Sequence, residues 1–240
     1  MEQHNNNLIR KENGGIICSH GDFSIDPVRP VKRALITHAH FDHISFGCEE
    51  YICSPETSVL LKERIGKKIK VKSHGYNESF KINGIKISFY PSGHILGSSQ
   101  IKLEGGNEKW LITGDFKRQR DETCLNYQEV KTDFLICEST FALPIFNWDS
   151  TNKIVNQIVE WVNKSPNMTS ILFCYSLGKA QRLLNELKNK NIKNIYVHSN
   201  IKKINDIYID QGINLEDVTK INPGIKPKDY QGSLLLMPPS

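Results

Sequence analysis

The sequence predicts an α/β protein, and three observations carry that expectation. Short runs of alternating apolar and polar residues, separated by turn pairs, fill the first half. Strands and amphipathic helices take turns through the second half. Between the early strands lies a block of three histidines and an aspartate that packing alone does not explain. At 240 residues the chain is long for one compact domain and short for two, which predicts one domain plus an incomplete second.

The elements follow in order. Residues 16–18 and 23–26 are expected as short strands around the turn at His20, Gly21 and Asp22, with Pro27 and Pro30 ending the pairing. Residues 33–37 form the next strand. After Tyr51, Ile52 and Cys53, Ser54 is a good N-cap, Pro55 suits the first helical position and Glu56 the first turn; the helix should run to about Ile65 and stop at Gly66. A strand over 69–71 comes next. The Asn83–Gly84 pair between the alternating runs 80–82 and 85–89 is the clearest hairpin, and a second joins 100–103 to 110–112 across Gly105, Gly106 and Asn107.

Beyond Glu138 the rhythm changes. Ile154, Val155, Ile158, Val159 and Val162 share one helical face after a cap at Asp149 or Ser150, followed by a strand at 171–174. A second helix from about Leu177 carries Ala180, Leu183, Leu184 and Leu187, and a strand at 195–197 follows. This alternation predicts a parallel sheet and a boundary within 139–150, with domains at 1–145 and 146–240. Residues 233–237 look like another buried strand, so close to Ser240 that the natural product is expected to continue.

Composition narrows the class. Hydrophobic residues at 38% and charged residues at 24% exclude a disordered chain. A balance of 31 basic to 26 acidic residues permits a polyanionic partner without requiring one. The six cysteines form no Cys-x-x-Cys pair and mostly sit in apolar runs, which suggests a reducing compartment. The first fifteen residues lack an apolar signal core, and no stretch reaches the roughly 18 apolar residues of a membrane span. A cytoplasmic protein without a membrane partner is expected; its oligomeric state is not encoded in any pattern here.

The block is His38, Ala39, His40, Phe41, Asp42, His43. On an extended strand end His38 and His40 point to the same side and can share a cation. Asp42 and His43 follow where the chain should turn into a helix, which lets them face a second cation. Imidazole and carboxylate suit zinc, manganese or iron, and two metals roughly 3.5–4 Å apart clamp the attacking and departing oxygens of a displacement. Two later stretches have ligand-loop composition. Pro91, Ser92, Gly93 and His94 follow a strand, and Thr113, Gly114 and Asp115 put a carboxylate at another strand tip.

The His-x-His-x-Asp-His block, the later Gly-His and Gly-Asp pairs and the hairpin-rich first half resemble the metallo-β-lactamase fold. Glu138-Ser139-Thr140-Phe141 resembles the first acidic motif of its nucleic-acid branch, the β-CASP nucleases, and the run Ser176-Leu177-Gly178-Lys179-Ala180-Gln181-Arg182 resembles the strand-to-helix junction of their inserted domain. Within that branch the runs 23–27 with Arg29 and Pro30, 93–98, 121–124 and 141–144 are most similar to the bacterial DNA ligase-associated exonucleases.

The resemblance implies an αββα sandwich with an inserted parallel α/β domain, whose C-terminal part and two further histidine motifs would lie beyond residue 240. It implies that His38, His40 and His94 hold one divalent metal, and that Asp42, His43 and a bridging Asp115 hold the other, with zinc expected and manganese as the alternative. Asp42, Asp115 and Glu138 are the expected catalytic residues, Glu138 through a histidine supplied by the missing segment. Asp26, or Asp22 in its place, is the candidate acceptor behind a ligand imidazole.

Ser176, the Gly178 amide, Lys179 and Arg182 surround a helix start that favours phosphate. The expected function is phosphodiester hydrolysis, as a DNA exonuclease working with an ATP-dependent DNA ligase in repair. The alternatives are an RNA-processing relative, a lactonase- or thioesterase-like hydrolase, and an inactive nucleic-acid-binding relative should the chain truly end at 240.

Overall fold

The structure is a computed structural model that describes residues 8–12, 15–222, 224 and 226–239. Most of the polar amino-terminal stretch and the terminal Ser240 lie outside the described residues. The chain forms two compact units, Met1–Ser139 and Thr140–Ser240.

In the first unit the strands are β1 (Arg10–Glu12), β2 (Gly15–Cys18), β3 (Phe23–Ile25), β4 (Arg33–Leu35), β5 (Glu50–Cys53), β6 (Val71–Ser73), β7 (Ser79–Ile82), β8 (Ile85–Pro91), β9 (Ser99–Gly105), β10 (Glu108–Ile112) and β11 (Phe134–Ile136). β1 to β6 make one sheet in sequence order, and β11-β10-β9-β8-β7 make the other. β1, β2 and β3 pair antiparallel, whereas β3 to β6 run parallel. Parallel neighbours need a crossover, and between β5 and β6 helix α1 (Pro55–Ile65) supplies it. Ser54 caps α1 by accepting from the Thr57 amide, with Pro55 behind it and Gly66 after the last turn at φ 120°. Such a cap contributes about 1 kcal/mol.

The second sheet is built on the two expected hairpins. Asn83 and Gly84 both take positive φ, 47° and 83°, the left-handed pair that matches the twist of adjoining strands. Ile25, Leu35 and Ile52 from the first sheet meet Ile87, Phe89, Ile101, Leu103 and Ile112 from the second in one core. That core fixes the sheets so that the ends of β4, β8 and β10 carry the loops holding His38, His94 and Asp115.

The second unit contains α2 (Thr151–Asn163), β12 (Ser170–Phe173), α3 (Lys179–Leu187), β13 (Ile195–Val197), α4 (Ser199–Asp210), β14 (Thr219–Lys220) and β15 (Leu234–Met237). Its sheet, in the order β12-β15-β13-β14, is parallel throughout. Ser150 is the residue that caps α2. Val155, Val162, Leu184, Leu187 and Ile201 on the helices cover Ile195, Val197, Leu234 and Leu236 on the strands.

Several elements differ from the sequence expectation, and the short strands β1 and β14 are among those it did not contain. β4 ends at Leu35, two residues early, because Ile36 bonds onward to Ile52 while the Thr37 amide is taken by an Asp26 carboxylate oxygen. β6 begins at Val71, two residues later than the apolar pattern places it. Helix α4 was missed: its buried Ile201, Ile204 and Tyr208 keep helical spacing, but two adjacent lysines interrupt the pattern, and its N-cap is the unusual His198, accepting from the Asn200 amide.

Candidate metal centre

Beyond β4 the chain bends at Thr37 and again at Ala39, and from an extended His40 enters a 3-10 turn at Phe41–His43. This geometry turns His38 and His40 inward together. His38 is fully buried. Its Nε2 lies 3.1 Å from His40 Nδ1, and His94 Nε2 lies 3.2 Å from the same atom. Ligand nitrogens about 2.0–2.1 Å from a tetrahedral zinc stand about 3.3 Å apart, so the three rings are spaced as one ion would space them. With Asp115 they form a group whose donor atoms all lie within 4.8 Å of one another.

Asp115 divides its carboxylate between two sets of donors. Oδ2 faces His94 Nε2 at 3.5 Å and His38 Nε2 at 3.8 Å, whereas Oδ1 faces His43 Nε2 at 3.3 Å. Asp42, 79% exposed, brings its Oδ2 to 3.7 Å from the same His43 nitrogen. The structure therefore brings together all six residues expected as ligands, with Asp42 at the open rim and Asp115 in the middle.

Asp26 sets the tautomers. It sits at φ 41°, a left-handed conformation that aspartate tolerates better than most side chains. Its carboxylate accepts the Thr37 amide at 2.8 Å, the Thr37 hydroxyl at 2.5 Å and His43 Nδ1 at 2.8 Å. Since Thr37 spends its hydroxyl proton on Asp26, its oxygen accepts from His38 Nδ1, 3.0 Å away. His38 is thereby left with a bare Nε2 lone pair aimed inward, and His43 gains one on the same atom once it gives up its extra proton, the form a metal requires. Asp22, the other candidate for this role, instead pairs with Lys32 and Arg33. Thr37 escaped the sequence reading; its only signal there is a hydroxyl directly before the first histidine.

The remaining loops are stitched to each other. Ser98 Oγ accepts the His94 and Ile95 amides, and Ser92 Oγ donates to the Asp115 carbonyl at 2.9 Å. Gly114, at φ 54°, lies so close to Thr37 that a Cβ there would come within 2.6 Å of its side chain. A glycine is required where the Asp115 loop crosses the His38 loop. Glu138 accepts the Phe116 amide at 2.9 Å, one residue from Asp115. Asp121 pairs with Lys117 and accepts from the Thr123 amide and hydroxyl, so its stretch buttresses the same loop.

The electrostatics agree with a cation site. Burial, then the neighbouring imidazoles, holds His38 well below the ordinary histidine range, and the same causes push His94 down to about 4. Burial also opposes a charge on His43, yet its bonds to Asp115 and Asp26 outweigh it and raise the group to about 10. Asp115 is resisted by burial but held below the usual carboxylate range by His43. Two half-buried carboxylates thus favour a positive charge on His43 between them, and the imidazole and carboxylate donors fit a divalent ion in its place.

Because the His43 proton must leave before that nitrogen can bind, zinc uptake at pH 7–8 is expected to release about one proton per chain from this residue. Calorimetric titration in buffers of different ionisation enthalpy measures this. Uptake with no proton released would show that His43 is not a ligand.

Among the expected phosphate-binding residues, Ser176, Gly178, Lys179 and Arg182 lie in the second unit at the start of α3. The Gly178 amide is already taken by Gln181 Oε1 at 2.7 Å, and Arg182 donates to Thr151 Oγ1 at 2.8 Å. Lys179 is exposed.

No protein-family model matches the chain. A probable DNA ligase from Opitutus terrae is 31% identical over 194 residues, covering 79% of this chain and 19% of that protein. Endoribonuclease YSH1 from Yarrowia lipolytica is 34% identical over 122 residues, 48% of this chain and 14% of that protein. The chain thus spans less than a fifth of the length of either relative. A crystal structure of a protein of unknown function from Enterococcus faecalis covers 87% of this chain and 58% of that one with a TM-score of 0.57 and 13% identity, which supports the fold alone. No helix among the described residues is long and apolar enough to cross a membrane.

Proposed function

Because the chain belongs to the β-CASP branch of the metallo-β-lactamase superfamily, we propose that it is a metal-dependent nuclease that hydrolyses phosphodiester bonds in DNA. The observation that carries this reading is the divided Asp115 carboxylate, one oxygen toward the His38 and His94 rings and the other toward His43. His38, His40 and His94 would hold one cation, and His43 with Asp42 the second, with Asp115 between them. Zinc is the proposed metal and manganese the alternative. Two such ions would supply an acidified water and charge neutralisation at the phosphoryl oxygens.

The protein's own groups do the rest. Asp26 and Thr37 keep the His38 and His43 lone pairs pointed inward, and Asp115 orients the nucleophile from its central position. Glu138, bonded to the Phe116 amide, holds the Asp115 loop, and its proposed catalytic part is to help a proton reach the leaving oxygen. Ser176, Lys179 and Arg182 are the proposed phosphate contacts at the start of α3 beside Gly178, whose amide, like one Arg182 donor, also bonds inside the unit. The chain and its inserted domain are proposed to divide at 1–145 and 146–240.

DNA is favoured over RNA because a relative named a probable DNA ligase matches 79% of the chain at 31% identity, against 26% for the RNase J-like protein of Methanocaldococcus jannaschii over 82%; an RNA-processing role is the second reading, supported by that name and the endoribonuclease names. An exonuclease acting in repair beside an ATP-dependent ligase, in the cytoplasm, follows from the DNA reading. The test is to give the zinc- or manganese-loaded protein end-labelled DNA and RNA strands of one sequence. Mononucleotides released from the DNA end at least about tenfold faster than from RNA, a difference of ~1.4 kcal/mol in barrier, are expected. Faster cleavage of RNA would move the assignment to the second reading, and cleavage of neither would contradict both.

A further inference from the structure

An aromatic corner next to the metal ligands has no part in holding the histidines. Phe41 stands between His40 and Asp42 and leaves 53% of its surface exposed, while Phe46 leaves 57% exposed. The two rings stack with centroids 6.2 Å apart and planes 21° from parallel. Arg64, from the last turn of α1, sets its guanidinium carbon 3.7 Å from the centre of the Phe41 ring. Its Nε is buried without a hydrogen-bond partner, so the ring face substitutes for one.

A single exposed phenylalanine needs no explanation, but here two rings stack on each other, one of them within the ligand turn, and both stay open. Core packing gains nothing from rings held outside the core. The guanidinium anchors Phe41 from one side, and the exposed Lys67 and Lys68 follow in the turn after α1. Flat open rings with a guanidinium against one of them match the chemistry of an unpaired base joined to a phosphate.

We propose that Phe41 and Phe46 form a stacking shelf for the base adjoining the phosphate under attack, with Arg64 fixing the Phe41 ring. The shelf rests on the nuclease reading and adds a substrate class to it: a base lies flat on these rings only when its strand is unpaired at the site, so single-stranded ends are the preferred substrate.

The experiment compares the zinc-loaded full chain with a Phe41→Ala, Phe46→Ala double variant. Each is titrated, by fluorescence anisotropy, with a short single-stranded phosphorothioate DNA and with the same strand made abasic at its terminal positions. The parent is expected to bind the base-bearing strand about tenfold more tightly than the abasic one, and the variant to bind both alike at the parent's abasic affinity. The slope of affinity against salt should stay the same, since no phosphate contact is removed. Discrimination that survives in the variant, or a variant weakened equally toward both strands, overturns the shelf. A parent that binds both strands equally overturns it too while leaving the nuclease reading standing, and a parent that binds neither removes both.

Discussion

Replacing Asp115 with Asn is expected to lower phosphodiester hydrolysis by about 10²–10³-fold or more, with metal content falling below that of the parent. The side chain keeps its shape but loses its charge and one of its two acceptor oxygens. In the parent those oxygens are split between the His38 and His94 side and the His43 side, at 3.3–3.8 Å. An amide can present oxygen to only one side and turns N–H toward the other. His43 also loses one of the two carboxylates that raise it to about 10, so its pKa should fall. Cleavage rate and elemental analysis of the purified variant measure both effects. Unchanged cleavage with unchanged metal would remove Asp115 from the site.

The second large effect is expected from Asp26→Asn, which should weaken zinc binding about 10–100-fold although Asp26 is not placed as a ligand. Asparagine tolerates the left-handed conformation at this position, so the backbone stays. What changes is the proton pattern. One end of the amide must donate, yet the aspartate accepts three hydrogens, from the Thr37 amide, the Thr37 hydroxyl and His43 Nδ1. Where the amide nitrogen meets His43, the ring must carry its proton on Nε2 and loses the inward lone pair. Where it meets Thr37, a buried donor goes unpaired at a cost of about 1–3 kcal/mol. Competition with a chromophoric chelator reads the zinc affinity, and thermal unfolding of the metal-free protein reads the stability. Parent-like zinc affinity would mean that the tautomers are set elsewhere.

Elements with complete local signals were legible in the sequence. Helix α1 carries its cap, its proline and its terminal glycine within thirteen residues of chain from Ser54 to Gly66, and the Asn83–Gly84 hairpin encodes its turn in two residues. The strand-helix alternation after Glu138 gave the parallel sheet, since buried parallel strands must be joined by crossovers. What escaped depended on partners distant in sequence. The early end of β4 follows from Asp26 taking the Thr37 amide, eleven residues away, and no local pattern carries that information.

The same division holds at the site. Four candidate ligands stand in one six-residue block and were visible by spacing, and His94 and Asp115 by the glycines beside them. The bonds that orient them were not visible, because Thr37 and Ser92 are ordinary residues until the fold places them against Asp26 and Asp115. The phosphate junction shows the converse. Its residues were singled out by motif, whereas the bonds of the Gly178 amide and the Arg182 guanidinium within their own unit, and the exposure of Lys179, depend on the fold.

The account stands on a pair of ions held by these side chains, and anomalous diffraction at the zinc edge from crystals of the metal-loaded protein tests that most directly. Two peaks about 3.5–4 Å apart are predicted, one touching His38 Nε2, His40 Nδ1 and His94 Nε2, the other touching His43 Nε2 and Asp42, with Asp115 reaching both. A histidine cluster that shows no peak, or one whose bound ion leaves Asp115 and His43 untouched, would contradict it.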